Sequence, residues 1–316
     1  MMASRSKVVL LGPQRLHPTL NLAVDSLGVH GRIAAITAGW EEREGEDQEL
    51  SAHLGGRTIN LRLWERAADV SARDPELLRG WRARIDAQRE IHEIYKLRLG
   101  HEMECARELL RREQQDPARE LVAAECEGAI EAVRQLDAFH LKRTRAVHDE
   151  FFDLWKPHER ESVARHRREI AGILHEVECL CVAGGHVARL IDHLRLFGIF
   201  GLMPEMPVVA WSAGSMALAE RVVLFHDAPP QGPGNAEVFE VGIGLYHGVI
   251  PLPHAAKRLK LEDPLRVRLM ARRFRPNVCA VLDPKTRLDW NGRRWRGQTG
   301  TLRLCEDGKL AEVNAA

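Results

Sequence analysis

Val208-Val209-Ala210-Trp211-Ser212-Ala213-Gly214-Ser215-Met216-Ala217 is the stretch whose reading decides the fold. A β-branched apolar run ends in a turn of small residues, and an apolar helical pattern follows at once. A strand joined to a helix by so tight a turn leaves the Ser212 hydroxyl at the tip, at the carboxyl end of a sheet. Two jobs fit a serine there. In a nucleophile elbow the hydroxyl faces substrate and the next backbone N–H can bind an oxyanion. In a helix N-cap the same hydroxyl accepts a bond from an amide of the first turn. The decapeptide alone fits both.

Outward from the elbow the texture falls into three parts. Residues 1–73 read as α/β, with strands at Lys7 to Leu11, Arg32 to Thr37 and Arg57 to Leu63, a break at Gly12-Pro13 and a short helix at Leu20 to Leu27. Runs dense in Val, Ile and Leu at strand–helix–strand spacing predict a parallel sheet covered on both faces. From Asp74 the pattern turns helical. Asp74-Pro75 supplies an aspartate at the N-cap and proline at the first helical position, and apolar residues recur at helical spacing from Leu77 to Leu110. Asp116-Pro117 restarts the pattern, which runs to Trp155. After Pro157 a third helix is expected from about Glu159 to Val177.

Two helices of about 40 residues would each be about 60 Å long. They exceed the interior of a doubly wound domain, so residues 74–177 are expected as an insertion of long antiparallel helices that projects or folds back. It reads as a structural or oligomer-forming hairpin, with a homodimer through it as the expected assembly; a lid over substrate is the functional alternative. The α/β texture returns at Glu178 to Ala183, followed by Gly184-Gly185, a helix over 187–197, the elbow strand from Pro207, a Pro/Gly-rich loop over 228–235 and a strand at Val278 to Leu282. Asn291-Gly292 and Asp307-Gly308 are turn signals that predict β-hairpins in the tail.

Composition narrows the function classes. Of 316 residues 45% are hydrophobic and 29% charged, an ordinary globular balance. A formal net charge of +1 gives no whole-protein field to attract nucleic acid or an anionic membrane. Neither is an expected partner, and the arginine-rich run from Arg266 to Arg275 reads as a solvated helix face. The N-terminal apolar run is too short for a signal-peptide core, and no later run approaches the roughly 18 apolar residues of a membrane span. Cys105, Cys126, Cys179, Cys181, Cys279 and Cys305 have neither metal-type nor disulfide-framework spacing. Cys179 and Cys181 alternate on one strand face as small buried hydrophobes. A cytoplasmic location is the expectation. Gly12-Pro13-Gln14 is not a phosphate-cradling turn, and Gly184-Gly185 has no third glycine at dinucleotide spacing. No cofactor is expected.

Several separated pieces line up in one order. One strand ends in Ala183-Gly184-Gly185-His186 and another in Trp211-Ser212-Ala213-Gly214. Val249-Ile250-Pro251-Leu252-Pro253-His254 comes next, then a basic helix, then Ala280-Val281-Leu282-Asp283. This order resembles the dipeptidase E and cyanophycinase family of serine peptidases, which share the class I glutamine amidotransferase-like fold. The resemblance covers residues 178–310 and, more loosely, 1–73. It implies a three-layer α/β fold with a mostly parallel sheet of flavodoxin or class I glutamine amidotransferase-like type, and a hydrolase that cleaves a small peptide or isopeptide through an acyl-enzyme.

By the same resemblance Ser212 is the nucleophile and His254 the general base. Gly184, Gly185 and Ala213 form the oxyanion loop, with the amides of Gly185 and Ala213 as donors. His186 and Trp211 fall where substrate would be touched; the alternatives are a polar helix start for His186 and core packing beneath the elbow for Trp211. The chemistry agrees with these roles, because a serine hydroxyl needs an imidazole to take its proton and glycine lets backbone approach a substrate closely. Ala210 stands where G-x-S-x-G has its first glycine, which argues against an ordinary α/β-hydrolase. Glutamine amidotransfer uses a cysteine at the elbow, and here the residue is Ser212.

The orienting acid departs from the family pattern. A glutamate usually follows the late strand, but in Leu282-Asp283-Pro284-Lys285-Thr286 that place is taken by Pro284. Asp283, one residue earlier, and Asp227, fifteen positions after Ser212, are the candidate acids, with a structural role as the alternative for Asp227. Loss of an orienting carboxylate costs about 10⁴ in rate with the site geometry intact. A slow hydrolase, a hydrolase with a relocated acid, and a non-catalytic binding or assembly protein working through the insertion are all open. Family members prefer acidic or Asp-linked residues, for which Arg221 and Arg258 are candidate partners. His226, Asp227, His247 and His254 can be drawn as a metal cluster, but no i, i+4 histidine pair on a helix supports one, and no metal is expected.

Overall fold

Apolar runs without polar alternation can be satisfied only by burial on both faces, and four such runs form the centre of the molecule. The structure, a computed structural model, describes residues 7–116, 119–227 and 234–314; Pro117 and residues 228–233 of the Pro/Gly-rich loop lie outside the described residues. The strands β1 (Val8–Leu11), β2 (Ile33–Ile36), β3 (Thr58–Asn60), β4 (Cys179–Val182) and β5 (Val208–Trp211) run parallel in the spatial order β1-β5-β4-β2-β3. All but β3 are buried throughout. The third strand is shorter than the sequence predicts, because Leu63 already opens a helix.

Strands β6 (Arg221–Leu224) and β7 (Glu237–Val241) form a separate antiparallel pair. Strands β8 (Val249–Pro253) and β9 (Val278–Leu282) lie parallel in a third sheet. The tail gives the expected hairpins on different sheets. β10 (Arg287–Trp290) and β11 (Trp295–Gly297) extend the main sheet antiparallel to β1, while β12 (Leu302–Leu304) and β13 (Leu310–Glu312) extend the sheet of β9.

Alternation of side chains along each strand divides the apolar residues between two faces. Val9, Leu11, Cys179, Cys181, Val209 and Trp211 pack with α1 (Leu20–Ser26) on one face. Val8, Leu10, Leu180, Val182, Val208 and Ala210 belong to the larger core on the other. The short α2 (Gln48–His53) and α3 (Leu63–Arg73) follow β2 and β3. All six cysteines are free thiols.

Residues 74–177, expected as an insertion, hold α4 (Pro75–Gln115), α5 (Glu120–Trp155) and α6 (Glu161–His175). Asp74 caps α4 as expected, its carboxylate accepting from the Leu77 amide at 3.0 Å. At 41 and 36 residues, α4 and α5 span about 60 and 54 Å. They form an antiparallel pair packed on the α/β body: Leu99, Met103, Ile130 and Val133 share one hydrophobic cluster with Val208 and Ala210. No helix among the described residues is long and apolar enough to cross a membrane.

The remaining helices are α7 (Val187–Phe197), α8 (Ala213–Leu218), α9 (Ala255–Arg258) and α10 (Pro264–Phe274). Helix α10 overturns the expectation of a solvated arginine face. It is wedged between the hairpin and β9, so Arg272 and Arg273 are buried. Arg273 holds both oxygens of the Asp137 carboxylate at 2.6 and 2.8 Å, the Tyr95 hydroxyl at 3.0 Å and the Ala236 carbonyl at 2.6 Å. A second buried set joins the hairpin to α7 and β7, with Arg84 on Asp192 at 2.5 Å, and His148 and Arg195 on Glu240 at 3.0 and 2.7 Å. Burial in low dielectric makes such groups costly to leave unpaired, so these pairings fix how the hairpin seats.

Candidate active site

In an open parallel sheet, ligand crevices lie beyond the carboxyl ends of the strands, and here the loops after β1, β2, β4 and β5 converge on one cleft of about 710 Å³. Ser212 stands where β5 turns into α8, with φ 51° and ψ −126°. A residue with a side chain in that region is strained by about 1–3 kcal/mol, and the strain is what a strand-to-helix elbow imposes. The hydroxyl makes no capping bond to α8. Instead Ser215 Oγ donates to the Ser212 carbonyl at 2.6 Å. Of the two jobs open to this serine, the cap is not realised, and the residue lines the cleft.

The Gly184-Gly185 loop is fitted to the elbow by close backbone approach. A Cβ on Gly184 would lie 2.6 Å from Ser212 Cβ, and Gly185, at φ +123°, has the Gly39 carbonyl where its own Cβ would be. The loop is tied down by the His186 amide, which donates to Gly39 O at 2.7 Å. Among the described backbone bonds neither Gly185 nor Ala213 donates its amide. Gly184, Gly185, Trp211, Ser212, Ala213 and His254 therefore share one cleft.

His254 follows β8 in the left-handed region, at φ 58° and ψ 32°, and opens α9. Its own amide donates to Leu282 O at 3.1 Å, fixing the turn to β9. Partial burial, and then the nearby Arg258 and Lys257 cations, hold its imidazole below the ordinary value of 6.5. The ring is therefore neutral at neutral pH, the form a general base needs. Ser212 and His254 line the same cleft, and among the described residues no hydrogen bond joins their side chains.

The two candidate acids sit differently. Asp283, half-buried, accepts from the Ala256 amide with both carboxylate oxygens at 3.2 Å. Burial pushes its carboxyl up, against the opposing pull of the Ala256 and Ala255 amides and of Lys257. It thus grips the backbone immediately after His254 rather than the imidazole. Asp227 is committed elsewhere: it pairs with Arg266 at 2.7 Å and accepts from the Lys260 amide at 3.1 Å. It braces residues 258–266 and makes no bond to His254, so of its two readings it takes the structural one and not that of the orienting acid.

Of the two roles open to His186, the structure realises the polar helix start. Its Nδ1 accepts from the Arg189 amide at 3.3 Å, making it the N-cap of α7, and it lies outside the cleft lining. Trp211 packs in the α1-side core, one of its two readings, and also lines the cleft. Of the two arginines, Arg258 lines the cleft and Arg221 does not. Sequence reasoning missed Trp40 and Leu50, which also line it. The signal was present in Thr37-Ala38-Gly39-Trp40, an aromatic residue just past the carboxyl end of a parallel strand. Among the described residues no group of three or more His, Cys, Asp and Glu side chains is placed to hold a metal ion.

No protein-family model matches the chain, and no curated protein matches it. Among solved structures, the crystal structure of a peptidase from an acI-B1 Actinobacterium aligns over 98% of this chain and 95% of its own, with 14% identity and a TM-score of 0.47. A likeness at that level shows neither a common activity nor a common family.

Proposed function

We propose that this protein is a serine hydrolase of peptidase type, similar to the dipeptidase E and cyanophycinase enzymes, acting on a small peptide or isopeptide. The observation that carries the reading is the strained, uncapped Ser212 at φ 51°, opening on a cleft shared with a neutral His254. Ser212 Oγ adds to the scissile carbonyl carbon while His254 takes the hydroxyl proton. The carbonyl oxygen, now anionic, is held by the amides of Gly185 and Ala213. Collapse of the tetrahedral intermediate breaks the C–N bond, and the leaving amine takes the proton from His254. Water repeats the sequence on the acyl-enzyme, returning Ser212 and releasing the acid.

Asp283 acts through backbone in this scheme. By gripping the Ala256 amide it fixes the turn that carries the imidazole. The same observation favours a second reading, a catalytically impaired descendant that binds or assembles through its helical hairpin, because among the described residues no carboxylate bonds to the His254 ring. A dipeptide and isopeptide panel assayed with wild type and Ser212→Ala separates the two. The hydrolase reading expects turnover that falls by at least about 10³ in the variant; equal release by both proteins, or none by either, favours the assembly reading.

A further inference from the structure

The two sides of the cleft rest on different cores, one on each face of the sheet. Leu20 and Trp211 belong to the small core on the α1 face, and Trp40 and Leu50 pack against it. All four line the cleft, so its wall on that side is continuous with hydrophobic core. His254 comes from the opposite side, where Leu252 of β8 and Ala255 of α9 belong to the larger core. Ser212 sits between the two, at the end of the central strand. The charged groups near the apolar end balance: Arg15 and Arg43 stand against Glu46 and Glu49, and Arg43 is paired to Glu46 at 2.7 Å. The formal charges of these four side chains cancel.

Orientation of a substrate follows from the proton path. The leaving amine takes its proton from the imidazole, so the leaving half lies towards His254. The acyl half then lies on the α1 side, against Trp40, Trp211 and Leu50. Resting on the serine hydrolase reading, we infer that the acyl residue carries a bulky apolar side chain, aromatic or branched aliphatic, seated against Trp40 and Trp211. Aromatic walls give such a side chain a large contact area, while a carboxylate there would be desolvated and would meet Glu46 and Glu49 as well as Arg15 and Arg43.

The test uses diphenyl α-aminoalkylphosphonates, in which Ser212 Oγ displaces phenoxide from phosphorus and His254 takes the serine proton. Four probes differ only in side chain: methyl, isobutyl, benzyl and carboxymethyl. The expected result is labelling by the benzyl and isobutyl probes at least about 10-fold faster than by methyl or carboxymethyl, in line with what apolar pockets discriminate. Trp40→Ala and Leu50→Ala should each shrink the benzyl-to-methyl ratio several-fold, a comparison made within one protein. A carboxymethyl probe that reacts fastest, or ratios that neither variant changes, overturns the subsite while leaving the serine reading intact. If no probe reacts at Ser212, the subsite and the serine reading fall together.

Discussion

Replacing Gly184 with alanine tests whether the Gly184-Gly185 loop and the elbow are fitted by backbone contact. The new Cβ would sit 2.6 Å from Ser212 Cβ, 3.1 Å from the Ala213 nitrogen and 3.3 Å from the Trp211 carbonyl oxygen. None of these is the far end of a flexible side chain, so relief requires the loop or the elbow to shift by about 1 Å. Overpacking of this kind costs about 1–3 kcal/mol. For a chain of this size that lowers Tm by about 2–10 °C. A misplacement of about 1 Å at a reacting group costs about 10²-fold, so the rate of fluorophosphonate labelling at Ser212 should fall by that factor. Gly172→Ala is the matched control. It lies exposed in α6 with nothing within 4 Å of the added Cβ, and alanine there should stabilise by about 0.5–1 kcal/mol with labelling unchanged. Gly184→Ala protein that melts and labels like wild type would refute the fitted geometry.

Three further outcomes follow. Because burial and neighbouring cations lower the His254 pKa, activity that needs its neutral form should be lost only as pH falls through a value below 6.5; Arg258→Gln removes one cation and should move that acid limb upward, as read from kcat/KM against pH. Asp283→Asn keeps an acceptor for the Ala256 amide, so the rate should fall by less than about 10²; a drop near 10⁴ would instead show the carboxylate acting on the imidazole directly. Asp137→Ala strands the fully buried Arg273 and should cost about 3–5 kcal/mol in urea unfolding, whereas pairing Asp137→Leu with Arg273→Met should recover most of it.

What could be read from the sequence was what local chemistry decides. The unbroken apolar runs of β4 and β5, the Asp74-Pro75 start of α4, and the Asn291-Gly292 and Asp307-Gly308 turns each carry their own signal, and each forms where expected. The elbow was legible as a turn, but its two uses differ only in where one hydroxyl points, which required Ser215 and the Ser212 backbone angles to resolve. Pairings across long stretches were not legible. Asp227 could not be assigned to Arg266, nor Asp137 to Arg273, because nothing local marks which of many arginines meets a given acid. The arginine run of α10 misled for the same reason: charge periodicity says a face is polar, and only packing shows that the partners lie inside. Trp40 joined the site through sheet order, since β2 reaches the cleft only because it lies beside β4.

The central claim is that Ser212 is a reactive nucleophile. Incubation with a small alkyl fluorophosphonate, followed by intact-mass analysis and peptide mapping, measures it directly. The account expects one adduct per chain, located on the peptide carrying Ser212, abolished in Ser212→Ala and slowed in His254→Ala. Unmodified protein under conditions that fully label a known serine peptidase, or an adduct that persists in Ser212→Ala, would contradict it.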